Sequence, residues 1–181
     1  MKSTLQWRGS NEATPLWGDR ESAWLTHTGS LTQRLRQVTK GKIEHRIYHE
    51  STGTPEADEC AALGLVAEVQ SHLREIEWWY DGALLVAARV VIPFHESLPP
   101  LLAKIGKRSL GDILFSDSTS TRHDLEFAVL SRAHPFFYRV QQHVPMDQEF
   151  VWIRRSLFEL RGISLLVNEI FLPTIFNIPI K

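Results

Sequence analysis

Leu73-Arg74-Glu75-Ile76-Glu77-Trp78-Trp79-Tyr80-Asp81-Gly82-Ala83-Leu84-Leu85-Val86-Ala87-Ala88-Arg89-Val90-Val91-Ile92-Pro93 sets two β-forming runs on either side of Asp81-Gly82. An Asp-Gly pair between such runs signals a two-residue hairpin turn, because both central residues of that turn take positive φ. With a tight turn, Tyr80 pairs with Ala83, Trp78 with Leu85, Ile76 with Ala87 and Arg74 with Arg89. Like charges directly opposite one another destabilise a sheet, so two facing arginines call for a carboxylate partner or a bound anion.

The C-terminal part repeats the pattern. Val151 to Leu160 and Ile163 to Phe171 flank Arg161-Gly162, a weaker turn signal, and a two-residue loop puts Leu160 opposite Ile163 and Arg154 opposite Glu169. A slip of one residue would undo this register. Strand alternation places Glu169 on one face with Leu165, Val167 and Phe171, which are core-type residues. An ionised carboxylate there needs a cation, a proton or a ligand. Arg154 is the candidate cation.

Working outward, residues 1 to 19 are polar and carry Gly9, Pro15 and Gly18 with Trp7 and Trp17, and read as a loosely tied N-terminal arm. The remainder, 20 to 181, is one domain. A short helix is expected from Glu21 to His27 and a second after Ser30, whose Leu31, Leu35 and Val38 share a face. Ile43 to His49 reads as a strand and Ser51 to Asp58 as a loop. Short helices are expected over Pro99 to Ile105 and, opened by a serine cap, Ser109 to Phe115, followed by a turn and a strand over Leu125 to Leu130. His134 to Gln148 has no clean period. Hairpin-connected strands with clustered short helices predict an α+β fold on an antiparallel sheet.

The composition excludes several functions. With 181 residues, 43% of them hydrophobic, the chain can bury one real core. A net charge of -1 carries no nucleic-acid footprint, so any bound anion must be held by a few placed arginines. The lone Cys60 forms no intrachain disulfide, which fits a reducing compartment. The start has no signal-peptide core and no apolar run reaches membrane-spanning length, so a cytoplasmic protein without membrane insertion is expected. With no long exposed apolar stripe in view, a monomer is expected.

His45 with His49, His95-Glu96, and His134 with His143 form no compact ligand set, so no metal is expected. No Gly-rich nucleotide loop and no nucleophile elbow around Ser156 occur. For Arg74, Arg89, Arg154 and Glu169, pattern alone leaves two readings: a structural ion-pair network, or a site for a small dianion clamped by guanidinium groups.

Several spaced motifs resemble one family. Leu73-Arg74-Glu75-Ile76, Asp81-Gly82 and Ala88-Arg89-Val90-Val91-Ile92-Pro93 are similar to the first half of the chorismate pyruvate-lyases. Leu110-Gly111-Asp112-Ile113-Leu114-Phe115 with Thr121-Arg122 resembles their middle, and Trp152-Ile153-Arg154-Arg155-Ser156 with Leu165-Leu166-Val167-Asn168-Glu169-Ile170-Phe171-Leu172-Pro173 their C-terminal signature. Trp24-Leu25, Ser30-Leu31-Thr32 and Arg34 fit their N-terminal helices.

The resemblance implies a single α+β domain with a six-stranded antiparallel sheet, helical flaps over an enclosed site, and no cofactor. It implies cleavage of chorismate to 4-hydroxybenzoate and pyruvate, the first committed step of ubiquinone synthesis. Arg74 is then expected at the ring carboxylate with the Leu110 backbone beside it, and Glu169 at the ring hydroxyl with the Leu31 backbone nearby. Arg89 would suit the enolpyruvyl carboxylate, and Arg154 would complete the substrate-binding set. Glu169 is either a general base or only a hydroxyl ligand. Ala88 and Ile153 stand where smaller residues are expected and could narrow the pocket; Asn168 replaces a threonine-like position, and Arg132 to Phe150 looks longer than in compact members. Two other readings stand beside the enzyme: a binding domain like the effector domains of some bacterial regulators, although the residues before Trp24 are too few for a helix-turn-helix, and a lyase homologue without activity.

Overall fold

In the computed structural model, which describes residues 5–13, 16–66, 68–95 and 110–180, both predicted hairpins form. Their turn residues take positive φ as this loop requires: Asp81 and Gly82 at 51° and 74°, Arg161 and Gly162 at 52° and 81°. The strands are β1 (Arg8–Gly9), β2 (Glu44–Gly53), β3 (Ser71–Tyr80), β4 (Ala83–Pro93), β5 (Ser120–Arg122), β6 (Glu126–Ser131), β7 (Phe150–Leu160) and β8 (Ile163–Phe171). They make one antiparallel sheet in the order β1-β6-β7-β8-β4-β3-β2, with β5 also pairing β7. The sheet therefore has eight strands rather than six; β1 and β5, at 2 and 3 residues, are too short to leave an alternation in the sequence.

The two hairpins differ in register. In β7–β8 the predicted pairing holds throughout, with Leu160 opposite Ile163 and Arg154 opposite Glu169. In β3–β4 a bulge between Trp78 and Trp79 shifts everything beyond it by one residue. Tyr80 still faces Ala83, but Trp78 faces Val86, Ile76 faces Ala88, Arg74 faces Val90, and Arg89 faces Glu75. The predicted Arg74–Arg89 pair does not exist. Because alternation has a period of two, the shift sends the two arginines to opposite faces of the sheet.

Helices cover both faces. On one lie α2 (Asp19–Leu25), α3 (Leu31–Val38) and α5 (Leu110–Ser116), whose Trp24, Leu25, Leu31, Leu35, Ile113 and Leu114 join the largest core with Ile76, Ala88, Val90, Phe158 and Phe171. Ser30 caps α3 through the N–H of Gln33, as its position before an apolar-periodic run predicts. A bidentate Arg36–Asp112 pair ties α3 to α5. On the other face, α4 (Ala57–Leu63) packs over Leu73, Val91 and Leu166, and α6 (Pro135–Gln141) sets Phe136, Phe137 and Val140 on Leu84, Ala87, Ile153 and Ile170.

The expected loop over Ser51 to Asp58 is the end of β2 and the entry to α4, which is opened by a capping box between Glu56 and Glu59. The unplaced segment after His134 contains α6. The predicted N-terminal arm, over its described residues, lies against the sheet: α1 (Ser10–Ala13) buries Ala13, β1 pairs with β6, Trp17 meets Phe127 and Trp152 edge-on, and Trp7 lies 4.1 Å under the Arg155 guanidinium. The helix expected over Pro99 to Ile105, the Ser109 cap and Glu96 lie outside the described residues.

His134 caps α6 by accepting the Phe136 N–H at Nδ1, which requires that nitrogen to be unprotonated. Burial lowers the His134 pKa below its usual 6.5; Arg139 and Arg89 push the same way, and Asp58 and Glu56 only partly oppose them. The folded state thus binds this proton less readily than the unfolded chain. Its contribution is present above pH 6.5 and is lost as pH falls from there through the lowered value. His27 and His45 are also depressed by burial and act in the same direction. Thermal melts between pH 7 and 5.5 are expected to show falling stability, and His134→Asn, which keeps a cap acceptor that does not titrate, to reduce the fall by about 2–4 °C.

Candidate functional site

The face covered by α2, α3 and α5 is not filled. Between the sheet and these helices lies a narrow, partly open cavity of about 40 Å³. Ile76, Trp78, Ala88, Val90, Val167 and Phe158 form its floor, and Leu31, Thr32, Leu110, Leu114 and Phe115 its helical wall. The charged lining is Arg122, Arg154 and Glu169. A mostly apolar cavity with a few convergent polar groups is the usual form of a small-molecule site.

Register explains how these charges meet. Glu169 is opposite Arg154 on β7 and opposite Ala88 on β4, so all three share the cavity face. Arg154 Nε donates to Glu169 Oε2 at 2.5 Å; the arginine side chain is fully buried and that of the glutamate 10% exposed. The other half of Arg154 reaches the last turn of α2 and the loop beyond it. Its Nη1 donates to the carbonyls of Leu25 and His27 at 3.0 and 2.9 Å and more distantly to Trp24 at 3.4 Å. Those are carbonyls that a helix end cannot satisfy itself, so a cation there is stabilising. One side chain therefore fixes the Glu169 carboxylate and docks α2. Its Nη2 is buried and has no hydrogen-bond partner among the described residues.

Arg122, on β5, completes the cluster. Its Nε and Nη2 donate to Ser156 Oγ at 2.9 and 2.7 Å, its Nη1 donates to the Thr28 carbonyl at 2.7 Å, and it lies over the rings of Phe115 and Phe158. Burial, reinforced by Arg154, lowers its pKa to about 10, with Glu169 opposing. It remains a cation at pH 7. His27 is held below the usual imidazole range by burial, Arg34 and Arg154, so the charge here is predominantly positive.

Arg74 stands farther along the same face, two residues from Ile76 and opposite Val90, both of which line the cavity. It is 1% exposed and donates to Glu50 at 3.4 Å. Burial lowers its pKa, with Glu50 partly restoring it. Leu31 opens α3 at the cavity wall, where its N–H is one of the first-turn donors that the helix leaves unused. Leu110 begins α5 on the same wall.

Arg89 is not brought to the cavity. It lies on the opposite face, with Nε and Nη2 on Glu59 at 2.8 and 3.2 Å and Nη1 on Glu75 at 2.9 Å. Asn168 shares that face and donates to Glu59 at 2.9 Å, and Ile153 packs there under α6. Of the substituted positions, only Ala88 lines the cavity. Arg122 was visible in the sequence only as part of Thr121-Arg122; what marks it in the structure is a half-buried guanidinium with no carboxylate partner among the described residues. Among the described residues no group of three His, Cys, Asp or Glu side chains could hold a metal ion.

The sequence model of the chorismate lyase family matches residues 2–179. The chain belongs to the chorismate lyase family. It is 44% identical over 181 residues to a probable chorismate pyruvate-lyase of Coxiella burnetii, covering 97% of this chain and 96% of the relative. A second probable chorismate pyruvate-lyase, from Aromatoleum aromaticum, is 37% identical over 86% of both chains. The fold extends beyond chorismate lyases. A GntR-family transcriptional regulator from Bacillus cereus superposes with a TM-score of 0.53 at 10% identity, over 77% of this chain and 96% of that one. The ligand-binding domain of a GntR-family regulator from Bordetella bronchiseptica gives 0.51 at 16% identity, over 74% and 84%. At such identities the likeness is one of fold alone.

If Arg154 stabilises Glu169 and the α2 carbonyls together, removing it leaves a buried carboxylate unpaired. Arg154→Met is expected to cost about 3–5 kcal/mol in urea unfolding. Adding Glu169→Gln should recover part of that loss, so the double variant is less destabilised than the sum of the singles; additivity would show that the two groups are not coupled.

Proposed function

We propose that this protein is a chorismate lyase, converting chorismate to 4-hydroxybenzoate and pyruvate. The observation that carries the reading is the Glu169–Arg154 pair on the floor of an apolar cavity, with Arg74 farther along the same face, in a chain of this family. Chorismate presents a ring carboxylate at one end and a ring hydroxyl at the other, beside the enolpyruvyl ether. Arg74, with the backbone at Leu110, holds the carboxylate; Glu169, with the backbone N–H of Leu31, meets the hydroxyl.

In the reaction the ring C–O bond to the enolpyruvyl group breaks, and the carbon bearing the hydroxyl loses its hydrogen. The electron pair of that C–H bond completes the aromatic ring, and the ether oxygen departs with the pair of the broken C–O bond. The hydrogen goes either to Glu169 or directly to the terminal methylene of the departing group, which then leaves as pyruvate. Neither route consumes an electron donor or a co-substrate, so the proposed reaction needs no cofactor. Aromatisation supplies the driving force, and the protein's share is to hold the reactive conformer out of water and to stabilise charge on the leaving group. The product suits the first committed step of ubiquinone synthesis. Substrate and products are small anions, in keeping with the expected cytoplasmic location; no helix among the described residues is long and apolar enough to cross a membrane.

Purified protein given chorismate, without added metal or nucleotide, is expected to release pyruvate in a coupled assay. Arg74→Ala should lower kcat/KM by about a hundredfold or more, since it removes a buried charge from a carboxylate. Retained turnover with weakened 4-hydroxybenzoate binding in Glu169→Gln would assign a ligand role, and lost turnover with intact binding a base role. Protein that binds 4-hydroxybenzoate but never releases pyruvate would be a binding domain on this fold.

A further inference from the structure

We propose that Arg122, together with the unengaged Nη2 of Arg154, holds the second carboxylate of the substrate, the one on the enolpyruvyl side chain. The inference rests on the lyase reading above and reassigns the role expected of Arg89 from the family resemblance.

Three observations carry it. The first is parity. Arg122 pairs with Phe158, and Phe158, Ser156 and Arg154 alternate along β7 on the cavity face, so the Arg122 guanidinium reaches Ser156 and stands beside the Arg154–Glu169 pair. Arg89 is on the other side of the sheet, with donors on two carboxylates, and among the described residues that line the cavity the cations are Arg122 and Arg154.

The second is unmet donor capacity. A guanidinium has five N–H bonds. The three hydrogen bonds of Arg122 go to a hydroxyl and a backbone carbonyl, none to a carboxylate. Arg154 Nη2 is buried and unpartnered in the same cavity lining. Among the described residues that line the cavity, these two guanidinium groups, which repel each other, face one carboxylate, Glu169, and Arg154 Nε already occupies one oxygen of it. An anion entering between them would relieve the repulsion and fill the open donors.

The third is the geometry of the substrate. The hydroxyl and the enolpyruvyl ether sit on adjacent ring carbons, opposite the ring carboxylate. With the hydroxyl at Glu169 and the ring carboxylate toward Arg74, the enolpyruvyl carboxylate falls next to Glu169, where Arg122 and Arg154 stand. Held there, the departing group develops its negative charge against two cations in a dry site, where such stabilisation counts most. Arg122 is thus a substrate-binding residue that acts on the leaving group.

The test compares two aromatic ligands that differ only at that pole: 4-hydroxybenzoate, and 4-hydroxybenzoate carrying a carboxymethoxy group next to the hydroxyl. Wild-type protein is expected to bind the dicarboxylate the more tightly. Arg122→Met should weaken the dicarboxylate by about tenfold or more, leave 4-hydroxybenzoate within about threefold, and lower kcat/KM for chorismate by about a hundredfold. Arg122→Lys, which keeps the charge without the planar fork, should fall between and serves as the comparison if the methionine variant does not fold. Equal weakening of both ligands would mark Arg122 as structural, and unchanged dicarboxylate affinity would overturn the clamp outright. Wild-type protein that releases no pyruvate, yet prefers the dicarboxylate through Arg122, would remove the lyase reading and leave the anion clamp standing.

Discussion

The buried contact between Arg154 and Glu169 is the constraint on which the site depends. Taking two charges out of water is costly, and their mutual attraction offsets the cost only when the remaining donors and acceptors are also satisfied. Here the offset comes from elsewhere in the chain: the carbonyls around the end of α2 take the second half of the guanidinium. The pair therefore does more than neutralise a carboxylate. It ties the sheet to α2, keeps Glu169 at the cavity, and leaves one buried arginine nitrogen without a hydrogen-bond partner among the described residues.

Parity divides the remaining charges into two sets. On the face under α4 and α6, Arg89 and Arg139 are matched by Glu59, Glu75 and Glu56, and Asn168 donates to Glu59. Burial pushes the Glu59 carboxyl up despite Arg89. On the cavity face, Arg122 and Arg154 have one carboxylate in common, with Arg74 farther along. Among the described residues, the arginines under α4 and α6 are matched by carboxylates, whereas the cavity lining sets Arg122 and Arg154 against Glu169. That imbalance is the physical content of the proposal that the cavity takes a dianion.

Much of this was legible in the residues. The Asp81-Gly82 and Arg161-Gly162 turns gave both hairpins, and loop length alone gave the Arg154–Glu169 pairing. Ser30 announced α3. The bulge at Trp78/Trp79 was not legible, since nothing in a run of aromatics marks an inserted residue; it moved Arg89 off the cavity face and removed the facing-arginine pair. The α4 helix was hidden because its capping box uses glutamate at both positions, and α6 because a histidine caps it. Arg122 lies on a strand of 3 residues, too short for periodicity, and its lack of a carboxylate partner is a property of three dimensions.

The most direct test is a crystal structure of the protein with 4-hydroxybenzoate. The account predicts the ring in the cavity between the sheet and α3 and α5, its phenol oxygen within hydrogen-bond distance of Glu169 and its carboxylate toward Arg74, with the space beside Arg122 left for the missing side chain. A ring bound in reverse, with its carboxylate on Arg122 and Arg154, or bound outside this cavity, would contradict it.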